Sequence, residues 1–424
     1  MALLLFGFFF LLVFLNIPIA VSLGVSSLIG LVAADFTLDM FPDIMYASIG
    51  KFALLAIPYF ILSGILMEHA GISRRLINFA SACVGHTRSG LIVVVIAVAC
   101  FFAAISGSGP ATVAALGAIL VPAMVSAGYD AAVSTALMSS AGAIGIIIPP
   151  SVAFIVYASI TDVSVGKLFA GGFIPGILVG VAFVLAALWS SRNNTNIVRM
   201  PKATFQQRWV AFKEAFWGLM MPVIILGGIY SGVFTPTEAA GISIVYGLFV
   251  GVFIHKEIKL NDLGKLFMES ATVSATVMYI IACASVFAWL LTVSNIATDF
   301  SSWLMGFTTN KHILLIVINI LFLISGCFLD GNSSIYIVVP IVYPIIRDLG
   351  IDPVHFGVFL TINVAIGLIT PPVGVNLYVG CSILKIPVIE VCKKIIPFVV
   401  AGVIVLTLVT YIPAISMMLP NFVK

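Results

Sequence analysis

The sequence predicts an all-α integral membrane protein made of two inverted repeats, each with five spans and one re-entrant helical hairpin. Three observations carry that prediction: a composition almost without charge, an internal duplication, and a one-sided distribution of basic residues. Hydrophobic residues make up 62% of the 424 residues, and Asp, Glu, Lys and Arg only 8%. A soluble domain carries roughly 25% charge, so a chain this poor in charge cannot cover a water-facing surface and lipid must cover most of it. Apolar stretches of about 20 residues, the length one span needs, recur from Met1 to Leu419. The longest polar link is 191–213, too short for a separate soluble domain. The N-terminal apolar run lacks the basic flank and cleavage site of a signal peptide and is expected to remain in the mature chain.

The duplication appears when the chain is shifted by 222 residues, which lays 109–150 on 331–372 without a gap. Eleven of the 42 positions are identical, including Gly128/Gly350, Asp130/Asp352, Ala143-Ile144-Gly145 on Ala365-Ile366-Gly367, and Pro149-Pro150 on Pro371-Pro372. Apolar composition aligns isoleucines by chance; it does not align Gly-x-Asp, Ala-Ile-Gly and Pro-Pro in one register. The chain therefore divides into a first repeat at 1–190, a basic link at 191–213 and a second repeat at 214–424.

In the first repeat the spans are expected at 2–15, 17–34, 50–69, 131–160 and 166–190. In the second they are expected at 216–233, 236–255, 270–293, 353–384 and 394–418. The extra helical segments 90–127 and 311–349 are each interrupted by a polar, glycine-bearing turn, Ser106-Gly107-Ser108-Gly109-Pro110 and Asp330-Gly331-Asn332-Ser333-Ser334. Such a turn cannot face lipid, because its backbone groups would be unsatisfied, so both segments read as hairpins with their tips buried in protein. With the link 191–213 taken as cytoplasmic, the inside loops 70–89, 191–213, 255–269 and 385–394 hold 14 of the 19 Lys and Arg, as the positive-inside rule requires. Both termini then fall on the periplasmic side. Five spans per repeat is an odd number, so the repeats are inverted, and inverted repeats with broken elements at the midplane are built as secondary transporters are.

The chemistry is expected where the helices break. Two consecutive prolines remove two amide donors and push the preceding residue out of helical geometry, which frees carbonyl oxygens deep in the membrane. A desolvated sodium ion takes oxygen ligands, so one cation site is expected at each pairing of tip and break. The candidate ligands are Ser106, Gly107 and Ser108 with Gly145, Ile148 and Pro150 in the first repeat. In the second they are Gly326, Asp330, Gly331 and Asn332 with Gly367, Thr370 and Gly374. A Pro-Pro kink that only improves packing is the plainer reading of each copy, and Asp330 could equally cap the second arm of its hairpin. Asn363 and Asn376 flank the second break and serve either an ion, a substrate or an interhelical hydrogen bond.

Several features read as structure. Thr235-Pro236-Thr237-Glu238 has the spacing of a capping box with proline at the first helical position. The six cysteines show no metal or redox spacing, and the five histidines fall at loops or span ends. There is no phosphate-binding loop for ATP hydrolysis.

The stretches LLAIPYFILSG (54–64), AISGSGPATVAALGAILVPAM (104–124), GIIIPPS (145–151), GVFTPTEAAG (232–241), FLDGNSSIYIVVP (328–340) and GLITPPVGVNLYV (367–379) run through both halves. Together they closely resemble the large membrane subunit of tripartite ATP-independent periplasmic (TRAP) transporters, over essentially the whole chain. The resemblance implies sodium-coupled uptake of a small organic anion across a bacterial inner membrane. It also implies two partners, a small four-span membrane subunit on a separate polypeptide and a periplasmic substrate-binding protein. No cofactor is implied beyond sodium as coupling ion. An elevator-type transporter fold follows, with the hairpins and broken spans moving against the scaffold spans 2–69 and 216–293. Substrate contacts are then expected from Ser108, Thr112, Ser151, Ser333, Ser334 and Asn376. The chain as a whole looks nearest the sialic-acid branch, with C4-dicarboxylates open. A self-sufficient sodium/anion symporter is the alternative. A channel would need a continuous polar lining, and an enzyme a convergent acid, base or metal set; neither is visible in the residues.

Overall fold

A computed structural model describes residues 1–87, 89–198, 201–308 and 310–422. Arg88, Arg199 and Lys424, which enter the charge count above, lie outside the described residues. The first half runs through α1 (Ala2–Phe14), α2 (Ile19–Ala33), α3 (Met40–Ile49), α4 (Ala56–His69) and α5 (Ile72–Val84). It continues with α6 (Gly90–Ser106), α7 (Gly109–Ser126), α8 (Ala131–Ala143), α9 (Val152–Thr161) and α10 (Val165–Ser190). The second half follows with α11 (Phe205–Tyr230), α12 (Pro236–Phe249), α13 (Leu263–Val293), α14 (Ile296–Phe307) and α15 (Lys311–Phe328). Then come α16 (Gly331–Asp348), α17 (Pro353–Gly367), α18 (Val375–Leu384), α19 (Val388–Tyr411) and a short α20 (Pro413–Met417).

The duplicated residues occupy matching places in matching elements. Asp130 caps α8 by accepting from the Val133 amide at 2.9 Å, and Asp352 caps α17 by accepting from the Val354 amide at 2.7 Å. Gly128 and Gly350, each two residues earlier, both take positive φ, +90° and +63°, a conformation that excludes most side chains. The capping box at α12 forms as the spacing predicts: Glu238 accepts from the Thr235 amide at 2.8 Å, and Thr235 accepts from the Glu238 amide at 3.2 Å.

Among the described residues, eight helical segments are long and apolar enough to cross a membrane: 52–69, 109–126, 165–190, 205–230, 236–254, 260–293, 311–328 and 388–411. The expected spans 131–160 and 353–384 each form two shorter helices about a break, α8 with α9 and α17 with α18. Helix α1 has 13 residues, about 20 Å, short of the ~30 Å hydrocarbon core.

Two spans begin earlier than the sequence reading places them, and three helices lie outside it. The span expected at 216–233 begins at Phe205, because Thr204 and Gln207 form a second capping box. The span expected at 270–293 begins at Leu263. Helices α5 and α14 occupy corresponding places in the two halves, between the third span and the hairpin, and α3 precedes α4; none was expected as a helix. In α5 the buried Ile72, Ser73, Leu76 and Ile77 recur at helical spacing while Arg74 and Asn78 stay exposed, the pattern of a helix lying in the membrane interface.

Two groups of helices pack within themselves. Helices α1, α2, α3, α4, α12 and α13 form one, through the α4–α12, α2–α13, α1–α2, α3–α13 and α4–α13 contacts. The hairpins, the broken helices, α10 and α19 form the other, through α7–α8, α15–α17, α7–α18, α8–α19 and α10–α19. They meet chiefly where α16 crosses α13, α6 crosses α4, and α9 abuts the turn before α4.

Candidate functional site

Each hairpin turns over in two residues, Gly107-Ser108 and Leu329-Asp330. At the first tip Gly107 ends α6 with φ of +61°, and Ser108 is extended, its hydroxyl making no cap bond. At the second, Asp330 accepts from the amides of Asn332 at 3.0 Å and Ser333 at 3.3 Å and from the Ser333 hydroxyl. The carboxylate of Asp330 therefore caps α16.

The breaks are built alike. After α8 a tight turn over Ile144–Ile146 leads to Pro149-Pro150, and after α17 the chain passes through Pro371-Pro372; both Pro-Pro bonds are cis. The second amide beyond each Pro-Pro pair then reaches a hairpin. Val152 donates to the Gly107 carbonyl at 3.5 Å and Gly374 to the Cys327 carbonyl at 3.4 Å, and positions 152 and 374 are related by the 222-residue shift.

Tip and break pack so closely that a side chain would not fit. A Cβ on Gly145 would stand 2.9 Å from the Ser108 carbonyl oxygen and 2.8 Å from Thr112 Oγ1. A Cβ on Gly367 would stand 2.6 Å from the Cα of Gly326. The relation repeats one turn away, where a Cβ on Gly109 would meet the Gly142 carbonyl at 3.2 Å and one on Gly331 the Val364 side chain at 3.1 Å.

Both tips open on one cavity of about 380 Å³, walled by α4 and α13 on one side and the hairpins and helix ends on the other. Of the candidate residues, Ser106, Gly107, Ser108, Asp330, Gly331 and Asn332 line it. The remaining candidates lie behind that wall. Gly145, Ile148, Pro150, Gly326, Gly367 and Gly374 are buried in the crossings, and the hydroxyls of the others are taken up by nearby protein groups. Thr112 donates to the Ser108 carbonyl at 2.7 Å, Thr370 to Ile366 at 2.7 Å, and Ser151 to Ile146. Ser333 donates to Asp330, and Ser334 shares a proton with Ser325.

Asn376 is fully buried and spans the two breaks, donating to the Ser139 carbonyl at 3.2 Å, while its Oδ1 has no partner among the described residues. Asn363 instead joins a buried chain, donating to Asn319 at 2.6 Å, which donates to Thr410 at 3.2 Å. The donors gathered around tips and breaks are carbonyl, hydroxyl and amide oxygens, the set a hard monovalent cation takes.

The residues missed by the sequence reading are Glu68 and Glu269, from the ends of α4 and α13, which also line the cavity. His69 Nε2 lies 3.4 Å from Glu269. Their signal was weak because each sits at the margin of an apolar run and they meet only through the fold. Lys51 was also missed; its amine donates to the Ser159 carbonyl at the end of α9.

Comparison with known proteins gives a consistent picture. Residues 6–415 match the family described as the tripartite ATP-independent periplasmic transporter, DctM component. The chain is similar to the C4-dicarboxylate TRAP transporter large permease protein of Rhodobacter capsulatus, 39% identical over 99% of both chains. It is also similar to the isethionate TRAP transporter permease of Oleidesulfovibrio alaskensis, 41% identical over 97% of this chain and 65% of that longer one. In fold it resembles the crystal structure of the Alcanivorax borkumensis YdaH transporter, with a TM-score of 0.59 at 13% identity over 88% and 89% of the two chains.

Proposed function

The chain belongs to the DctM component family of tripartite ATP-independent periplasmic transporters, and from that premise we propose that it carries a small organic acid across a bacterial inner membrane, driven by sodium. It is a transporter permease and not an enzyme. The observation that carries the proposal is the convergence of both hairpin tips on one cavity, each tip packed against a break in a buried helix.

Among the described residues the cavity wall holds Glu68, Glu269 and Asp330 and no Lys or Arg, so an anion finds no fixed positive partner among them. It is held instead by the first-turn amides of α7 and α16, whose N-termini carry partial positive charge, and by co-bound cations. That is the physical reason for coupling: sodium at the tip-and-break oxygens supplies the charge the anion needs. The names of the relatives favour a substrate of C4-dicarboxylate or small sulfonate size over sialic acid.

The two packed groups suit an elevator, in which hairpins and broken helices slide past α4 and α13. A small membrane subunit and a periplasmic binding protein complete the system. Uptake of labelled C4-dicarboxylates and isethionate by cells expressing the full system tests the proposal. Uptake should follow an imposed sodium gradient and vanish with a sodium ionophore; uptake that follows a proton gradient alone contradicts it.

A further inference from the structure

Away from the cavity, one cluster of charged side chains has no part in the reading above. Arg74 and Asn78 lie four residues apart on α5 and so share a face, and α5 packs along the first turns of α11. There Lys213 and Trp217 stand at the same spacing. The groove between them, about 400 Å³, is lined by Arg74, Arg75, Asn78, Lys213, Glu214 and Trp217, with the chain after α12 closing it.

Arg75 is spent on the protein itself, 2.7 Å from Glu257 and donating to the carbonyls of Ala70 and Gly71 at 3.0 and 3.1 Å. His255 points its Nδ1 at the Ala70 carbonyl at 2.9 Å, and burial pushes its imidazole below the usual range. Arg74 makes no ion pair or hydrogen bond among the described residues, and Lys213 only lies over the Trp209 ring at 5.5 Å. The groove is left with two free cations, one carboxylate at Glu214 and an amide at Asn78, a surplus of one positive charge.

We propose that this groove binds the headgroup of an anionic phospholipid of the phosphatidylglycerol type. One phosphodiester charge matches the surplus, with Arg74 and Lys213 on the phosphate oxygens. Glu214 and Asn78 meet the glycerol hydroxyls. The lipid-facing side selects lipid over free phosphate: Phe216 and Val223, on α11 beyond Lys213 toward the membrane interior, are 37% and 57% exposed. An apolar and aromatic side next to cations marks the headgroup level of a bilayer, where acyl chains cover what the groove leaves bare. Juxtamembrane cations attract anionic lipid at about 1 kcal/mol each.

The test uses the full chain, purified in detergent, loaded from vesicles of phosphatidylcholine with phosphatidylglycerol and weighed with its retained lipid by native mass spectrometry. The wild type should retain phosphatidylglycerol, and R74Q/K213Q should weaken retention by roughly thirtyfold. K385Q/K393Q, which removes the same charge from two exposed lysines elsewhere, should retain it like the wild type, and excess inorganic phosphate should not displace it. Gel filtration of each variant checks that it is folded. Equal retention in all three proteins, equal loss in the control variant, or displacement by phosphate each overturns the proposal.

Discussion

Asn376 Nδ2 donates to the Ser139 carbonyl at 3.2 Å, tying the helix that follows the second break to the helix that leads into the first. The other amide atom, Oδ1, is buried with no partner among the described residues. One interhelical hydrogen bond in a membrane protein is worth only about 0.6 kcal/mol. Asn376→Ala should therefore leave thermal stability nearly unchanged while uptake falls by roughly tenfold or more, the loss expected when an oxygen facing ion or substrate is removed. A drop in stability with specific uptake unaltered would assign Asn376 to packing alone.

The glycine crossings make a graded prediction. Gly367 abuts the backbone of Gly326, whereas Gly331 abuts the movable side chain of Val364. Gly367→Ala and Gly145→Val should abolish most uptake at near-normal yield of folded protein, because tip and break are forced apart. Gly331→Ala should be mild. Uptake assays normalised to protein recovered from membranes decide it; similar effects at all three positions would mean that these crossings do not shape the site.

Sodium dependence addresses the oxygens directly. The Ser106 hydroxyl lines the cavity and makes no hydrogen bond among the described residues. Ser106→Ala should raise the sodium concentration for half-maximal uptake several-fold with little effect on folding. Asp330→Asn weakens the cap of α16 and removes a cavity charge, so both sodium dependence and stability should change. An unaltered sodium curve in both variants places the ions elsewhere.

How much of this was legible in the sequence depends on the range of the interaction. The matched caps Asp130 and Asp352, the positive-φ pair Gly128 and Gly350, and the Pro-Pro breaks are local demands of the backbone, so the duplication carries them openly. The helix α5 was hidden because Arg74 and Arg75 read as loop charges, although Ile72, Leu76 and Ile77 keep helical spacing. The early start of α11 was signalled by Thr204 and Gln207, a capping box masked by the basic link around it. Glu68 and Glu269 could not be placed in the cavity at all, since they are about two hundred residues apart and only tertiary packing brings them together.

The inverted arrangement predicts sidedness. Asp39 and Thr195 are both exposed and lie on opposite sides of the odd span count. Single cysteines at these positions, in a background lacking the native six, should react with an impermeant maleimide from outside and only after permeabilisation, respectively. Labelling of both from one side would break the topology.

The central claim is that this permease moves its substrate only as part of a three-component, sodium-driven system, and reconstitution tests it most directly. Liposomes containing this chain and its small membrane subunit, under an inward sodium gradient, should take up little free substrate. Adding the loaded cognate binding protein should start uptake, and collapsing the sodium gradient should stop it. Robust sodium-driven uptake by this chain alone, with neither partner present, would contradict the account.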